Sequence, residues 1–465
     1  MSGRLSSGHQ RLDEVLGGGI WDDALTLITG EPGTGKTLLA QQFVFANAAP
    51  ERRALYVSTV SEPLHKILRY GRTLTFFKEE ALGNYVFYED LGGLLDERGL
   101  PAFVERLEAV VEERQPSLVV IDSFKAVHAF AREPGDFRWF LHDFAGRLSS
   151  TGAASLWVGE YGPEDLSREP EFAVADAIIS LSSTMSAERQ MRVLQILKLR
   201  GSAFLSGHHG YRLSERGLDV FPRLADVAVQ DRYPQSMVRT SSGIPALDVM
   251  AGEGYWPGSS TLVAGPSGVG KTVMGLSFIF AGAASGERGL IATLQENPTQ
   301  LERTAAGFGW SIDDPNVVVH YRASVDLYVD QWVHEVLERA QSAGVQRIMV
   351  DSLGDLSFAV GDPVRFREYV YSFVQRCARL GISVYLTMEV PDLFDVSRLS
   401  EWGVSNMSDN VVLLQYVRSE SAVKRAVTVL KTRASLHEPE IRQYTIGSTG
   451  IVIGERFTGV EPALL

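Results

Sequence analysis

Short apolar runs alternate along this chain with longer stretches of helical composition, and the series is run through twice. Residues 24–29 form an apolar run with branched side chains, which predicts a buried strand. Residues 38–48 contain no Gly or Pro and predict the helix that follows. Further runs at 55–58, 118–122 and 155–159 predict strands, with a helix over 135–148. Their counterparts in the second half are 290–293, 347–351 and 383–388, with a helix over 364–380. Strands alternating with helices imply a parallel sheet covered on both faces, with ligands at the C-terminal edge of the strands. The end of each half is richer in strands: 191–200 and 425–433 are long, while 211–220 and 441–453 read as short antiparallel strands closing each domain. The stretch from Pro222 to Ser242 is polar, holds two prolines and has no period. The expected organisation is a first domain over 1–222, a linker over 223–242 and a second domain over 243–465.

Composition sharpens this only a little. At 465 residues the chain suits two cores rather than one. A net charge of −13 argues against a broad nucleic-acid surface. The single cysteine, Cys377, excludes an intramolecular disulfide and a multi-cysteine zinc site, and its helical setting suggests packing. No apolar run reaches the length of a membrane span and the N-terminus lacks a signal-peptide pattern, so a cytoplasmic protein is expected.

The chemistry lies in two loops. Gly30-Glu31-Pro32-Gly33-Thr34-Gly35-Lys36-Thr37 and Gly265-Pro266-Ser267-Gly268-Val269-Gly270-Lys271-Thr272 both read G-x-x-x-x-G-K-[ST]. Glycines at this spacing let backbone N–H groups turn inward around a triphosphate, which the positive end of the next helix also faces. Lys36 and Lys271 would reach the β- and γ-phosphates, and Thr37 and Thr272 would ligate Mg²⁺. The runs at 118–122 and 347–351 end in Asp122-Ser123 and Asp351-Ser352, where a carboxylate at the strand's end would hold the Mg²⁺ shell. Matching lead-ins, Gly8 to Asp13 and Gly243 to Asp248, precede the two loops by the same interval. The cofactors expected are ATP and Mg²⁺.

Each half ends in Lys-x-Arg, at Lys198-Leu199-Arg200 and Lys431-Thr432-Arg433; Ser-Gly-Ile-Pro-Ala-Leu-Asp begins at Ser242, and Asp409 opens the run Asp-Asn-Val-Val-Leu-Leu-Gln-Tyr-Val. With the two loops, these resemble the KaiC family, ATPases and autokinases of the cyanobacterial circadian clock, over nearly the whole chain. The resemblance implies two tandem RecA-like P-loop NTPase domains of α/β class. It also implies a homo-oligomeric ring, usually a hexamer, with ATP between adjacent subunits. In such a ring Lys198, Arg200, Lys431 and Arg433 would act catalytically on a neighbour's γ-phosphate. Residues i and i+2 of a strand face one side, so the two cations can meet one phosphate.

The family carries two adjacent glutamates before the proline that follows the second strand. Here the first half has Val60-Ser61 with Glu62 one place late, and the second has Gln295-Glu296. Glutamine cannot accept a proton, so Glu296 is the candidate base of the second half and Glu62 that of the first. The family's adjacent phospho-acceptors fall on Ser405 and Asn406, which leaves Ser405 as an acceptor or, with Ser408, as a loop residue before a strand. Glu160 and Glu389 end equivalent strands and read as γ-phosphate sensors or as strand caps. His208-His209 is too isolated for a metal site and reads as a turn; Trp139, Phe140 and Phe144 read as core. The expected function is slow Mg-ATP hydrolysis in a ring, with serine autokinase activity as an added expectation and a regulatory protein as partner. The alternatives are a nucleotide-gated scaffold with little catalysis and a DNA motor, the latter opposed by the acidic balance.

Overall fold

The computed structural model describes residues 3–59, 64–130, 134–186, 189–224, 236–325, 327–390, 404–419 and 422–457. The chain divides into two compact units, Met1–Asp226 and Val227–Leu465. Residues 225–235, within the stretch expected as a linker, lie outside the described residues.

Each unit is built on one nine-stranded sheet. The first contains β1 (Leu25–Gly30), β2 (Ala54–Ser58), β3 (Val86–Asp90), β4 (Leu118–Asp122), β5 (Ala154–Gly159), β6 (Ala177–Ser186), β7 (Arg189–Leu199), β8 (His209–Ser214) and β9 (Gly217–Phe221). Their order across the sheet is β9-β8-β7-β6-β1-β5-β4-β2-β3. Strands β1 to β6 run parallel, and β7, β8 and β9 close the sheet as an antiparallel meander. The second sheet contains β10 (Ser260–Gly265), β11 (Gly289–Thr293), β12 (Val317–Tyr321), β13 (Arg347–Asp351), β14 (Ser383–Glu389), β15 (Asn410–Ser419), β16 (Ala422–Thr432), β17 (Arg442–Gly447) and β18 (Gly450–Arg456). It repeats the same order, β18-β17-β16-β15-β10-β14-β13-β11-β12. The expected fold class, two RecA-like α/β domains with antiparallel closing strands, is the one observed.

The central strands are continuous apolar runs because both of their faces are buried. In β4, Leu118 and Val120 join the core on one face of the sheet, while Val119 and Ile121 join the core on the other. The first face is covered by α1 (Lys36–Asn47), whose Leu39, Phe43 and Val44 pack against Ile28, Tyr56 and Leu156. The opposite face carries the helices Gly92–Arg114 and Pro134–Ser150, with Phe103, Leu107 and Phe144 against Leu55, Val119 and Trp157. In the second unit α2 (Lys271–Ala284) takes the part of α1, packing Met274, Phe278 and Ile279 against Val263, Ile291 and Met349.

One aromatic departs from expectation. Phe144 is buried and Phe140 packs beside it, but Trp139 is 76% exposed. A helix turns about 100° per residue, so position 139 points away from the face shared by Phe137, Leu141 and Phe144. Cys377 is fully buried and burial pushes its thiol up, which fits a packing residue. Among the described residues no helix is long and apolar enough to cross a membrane.

Candidate functional site

β1 and β10 end at Gly30 and Gly265, and their loops turn into α1 and α2 at Lys36 and Lys271. The residues just before these helices, Gly35 (φ 93°) and Gly270 (φ 111°), are left-handed. A Cβ there would also lie 2.7 Å from Leu213 and 2.6 Å from Ile446, respectively. Glycine is therefore demanded by the backbone conformation, and any larger residue would also have to displace the Leu213 or Ile446 side chain of the closing strands β8 and β17. The same strands brace the loops by hydrogen bonds. Tyr211 donates its hydroxyl to the carbonyl of Thr34 at 2.7 Å, and Tyr444 donates to that of Val269 at 2.5 Å. Neither tyrosine belongs to the loop motif; the available signal was a Tyr at the equivalent closing strand of both repeats.

Both lysines sit inside their own loops. Lys36 is buried, donates to the Glu31 carbonyl at 2.8 Å and lies 4.0 Å from the Glu160 carboxylate. Lys271 donates to the carbonyls of Pro266 at 2.8 Å and Gly265 at 3.0 Å. Burial lowers the pKa of both ammonium groups, with Glu160 and Glu389 acting in the opposite direction. A desolvated ammonium gains most from an anionic oxygen, which is what a phosphate supplies.

The residues expected to hold Mg²⁺ also converge. Thr37 Oγ1 donates to Asp122 Oδ2 at 2.7 Å, and Thr272 Oγ1 donates to Asp351 Oδ2 at 2.7 Å. One hydroxyl and one carboxylate, both hard oxygen donors, fit a Mg²⁺ that keeps several waters and takes phosphate oxygens for the rest. In the first unit these groups open on a cleft of about 1030 Å³ lined by Gly33, Gly35, Lys36, Thr37, Asp122 and Glu160.

The two carboxylates are held differently. Burial raises the pKa of Asp122, and hydrogen bonds from Tyr56 and Thr37 work against that shift. The Tyr56 hydroxyl reaches Asp122 Oδ2 at 2.7 Å from the neighbouring β2. In the second unit the corresponding position is Ile291, and Asp351 is held instead by Thr387 of β14 at 2.5 Å. Hydrogen bonds to a charged acceptor contribute about 1.5–3 kcal/mol each. Tyr56→Phe is thus expected to cost about that much stability, read by denaturant titration of the nucleotide-free protein. It should also weaken Mg-ATP binding at the first loop while leaving the second unchanged.

The glutamates expected as bases fare unequally. Glu62, with Val60 and Ser61, lies outside the described residues. Gln295 is exposed and its amide donates to Asp355 Oδ2 at 2.8 Å and to Ser352 Oγ at 3.3 Å. Glu296 is half-buried, and its Oε2 is buried without a hydrogen-bond partner. Burial, and then the nearby charge of Asp351, raise its pKa, while a hydrogen bond from Thr304 opposes the rise. Its environment is thus that of a desolvated carboxylate held close to the Asp351 charge.

The Lys-x-Arg pairs are not brought to the loops of their own units. Lys198 pairs with Ile178 in the ladder, and Ile178 with Leu27, whereas the loop begins at Gly30, which pairs with Leu181. Lys198 and Arg200 thus stand at the sheet edge opposite their own P-loop. Lys198 Nζ caps the carbonyls of Ala173 (3.1 Å) and Phe172 (3.3 Å), and Arg200 meets Asp176 at 3.2 Å. The second unit repeats this arrangement. Lys431 donates to the carbonyls of Ser408 (2.7 Å) and Ser405 (3.0 Å), and Arg433 donates to that of Asn406 at 3.1 Å. Ser405 lies on a four-residue helical turn, Val404–Met407, at this same far edge. His209 is buried in β8, where its Nδ1 accepts from the Arg223 amide at 3.0 Å, a structural role.

The family model described as "ATPase: KaiC" matches residues 5–225 and again 240–457. The chain is 28% identical to the circadian clock protein KaiC3 of a Synechocystis strain, an alignment covering 99% of this chain and 94% of that one. It is 27% identical to the circadian clock oscillator protein KaiC of Parathermosynechococcus lividus, covering 98% and 86%. With the KaiC oscillator protein of a Picosynechococcus strain it shares 28% identity, covering 97% and 89%.

Proposed function

Because the chain belongs to the KaiC family of tandem P-loop ATPases, we propose that it binds Mg-ATP at both loops and hydrolyses it slowly at the subunit interfaces of a homo-oligomeric ring. The observation that carries this reading is the repeated Lys–Thr–Asp constellation, with the same 2.7 Å hydroxyl–carboxylate contact in each unit. Gly30, Gly33, Thr34, Gly35 and Lys36 cradle one triphosphate, and Gly265, Gly268, Val269, Gly270 and Lys271 the other. Thr37 with Asp122, and Thr272 with Asp351, hold the hydrated Mg²⁺, which neutralises charge on the phosphates.

In the second unit Glu296 accepts the proton of the attacking water. Lys431 and Arg433 act on the nucleotide of the adjacent subunit, as Lys198 and Arg200 do in the first unit, because their own P-loops lie across the sheet. The same geometry supports phosphorylation in trans. Ser405 Oγ replaces water as the nucleophile, its proton passes to the neighbour's Glu296, the new P–O bond forms and ADP leaves. A scaffold reading is favoured for the first unit alone by Val60-Ser61, which supply no carboxylate where the family has two.

The test is subunit mixing. Lys271→Ala and Arg433→Ala are each expected to lose turnover as pure rings. In rings reassembled from equal amounts of both, about a quarter of the interfaces join an intact loop to an intact arginine. Phosphate release should recover to about that fraction of wild type. Mixed rings as inactive as the pure variants would remove the trans assignment.

A further inference from the structure

We propose that His128, Glu169 and Glu171 of the first unit bind one first-row transition-metal dication, of which Zn²⁺ is the probe. Their donor atoms lie within 4.8 Å of one another. His128 Nδ1 is 3.1 Å from Glu169 Oε2 and 3.5 Å from Glu171 Oε1. Ligands held at about 2.0–2.2 Å by a tetrahedral Zn²⁺ stand about 3.4 Å apart, so the two imidazole–carboxylate separations match two edges of such a site.

The second observation is the state of Glu171. Its side chain is fully buried and turned into this cluster, yet Oε2 has no hydrogen-bond partner. Among the described residues neither glutamate has a lysine or arginine against it; the nearby Lys125 is engaged by Asp165 at 2.6 Å. Two carboxylates face one imidazole here, and a dication would supply the buried Oε2 with the partner it lacks. The surroundings are those of a metal ligand set. The His128 ring is fixed by stacking on Phe137 at 3.8 Å, and Tyr161 donates its hydroxyl to Glu171 Oε1 at 3.1 Å. Such outer partners orient ligands and sharpen affinity.

The site joins two pieces of the P-loop machinery. His128 ends the helix Phe124–His128 that follows Asp122, and Glu171 begins the turn Glu171–Val174 whose carbonyls hold Lys198. Bound metal would clamp the connection between β5 and β6 onto the Asp122 helix. One imidazole with two carboxylates favours Zn²⁺, Co²⁺ or Mn²⁺, while Mg²⁺ prefers all-oxygen sets.

The experiment uses the full chain, stripped with chelator and titrated with Zn²⁺ by calorimetry in excess Mg²⁺, which competes at oxygen-only sites. Co²⁺ serves as the spectroscopic probe. One Zn²⁺ per chain is expected, with a higher melting midpoint and a low-coordinate Co²⁺ absorption spectrum. His128→Ala should weaken binding by at least about a hundredfold and Tyr161→Phe by about tenfold, while His208→Ala should bind as wild type. Zn²⁺ bound equally by His128→Ala, or no Mg²⁺-resistant Zn²⁺ site in the wild type, would overturn the proposal. Should His128→Ala fail to fold, the wild-type Co²⁺ spectrum decides: an octahedral, oxygen-only spectrum rejects the site.

Discussion

Lys271→Ala is expected to lower Mg-ATP turnover by about 10²–10³-fold, the loss that accompanies removal of one preorganised charge from a transition state. Lys271 is the one ammonium inside the second loop, with Nζ on the carbonyls of Gly265 and Pro266. Those carbonyls are poor substitutes for phosphate oxygens. Lys271 is the cation that its own loop brings to the γ-phosphate, where charge develops. Lys36→Ala, by contrast, is expected to leave turnover per assembled ring within about twofold, as independent sites behave, and to weaken ring assembly. Both variants are assayed on sized oligomer, counting released phosphate together with protein-bound label, so that kinase chemistry is not mistaken for inactivity. Equal losses in the two variants would remove the second unit as the engine. An inactive wild type that retains ATP in an intact ring would leave the nucleotide-gated scaffold.

Glu296→Gln is expected to lower turnover by about 10²–10⁴-fold, the range of general-base catalysis, with ATP affinity retained. The substitution keeps size and loses the capacity to accept a proton. The pH dependence follows from the environment. Burial and Asp351 raise the Glu296 pKa, so the group takes up its proton at a higher pH than an ordinary glutamate. Only the ionised form is a base. Turnover should therefore fall on acidification earlier than a normal carboxylate would dictate, and the residual rate of Glu296→Gln should lose that limb. A wild-type profile with no acidic limb above the usual glutamate range would count against Glu296 as the base. Gln295 cannot take its place, since its amide is committed to Asp355 and Ser352.

The parts of the site that sequence made legible are those whose chemistry is local. Each P-loop is eight consecutive residues, Asp122 and Asp351 end apolar runs, and the repeat supplied an internal check on both. What escaped notice was set by distant pairing. Tyr211 acts on Thr34 across 177 positions, and Tyr444 on Val269 across 175. Tyr56 and Thr387 hold equivalent carboxylates from different strands, so comparing the two halves could not flag either. Among the elements, β3 is an edge strand with one buried residue and so carries little hydrophobic signal. β6 begins as an apolar run and continues into serines, which hides its length. The helix Gly92–Arg114 is broken at Gly99 and carries Pro101, features that read as loop.

The bracing of each nucleotide loop by its closing strand has a consequence for biosynthesis. Residues 30–37 leave the ribosome long before Tyr211, and at about 5–20 residues per second that interval lasts on the order of ten seconds or more. Through that time the loop lacks the hydroxyl that anchors Thr34 and the Leu213 side chain that packs against Gly35. Nucleotide binding at the first loop is therefore expected to follow docking of the closing hairpin, and a fragment ending short of β8 should gain no melting stability from Mg-ATP.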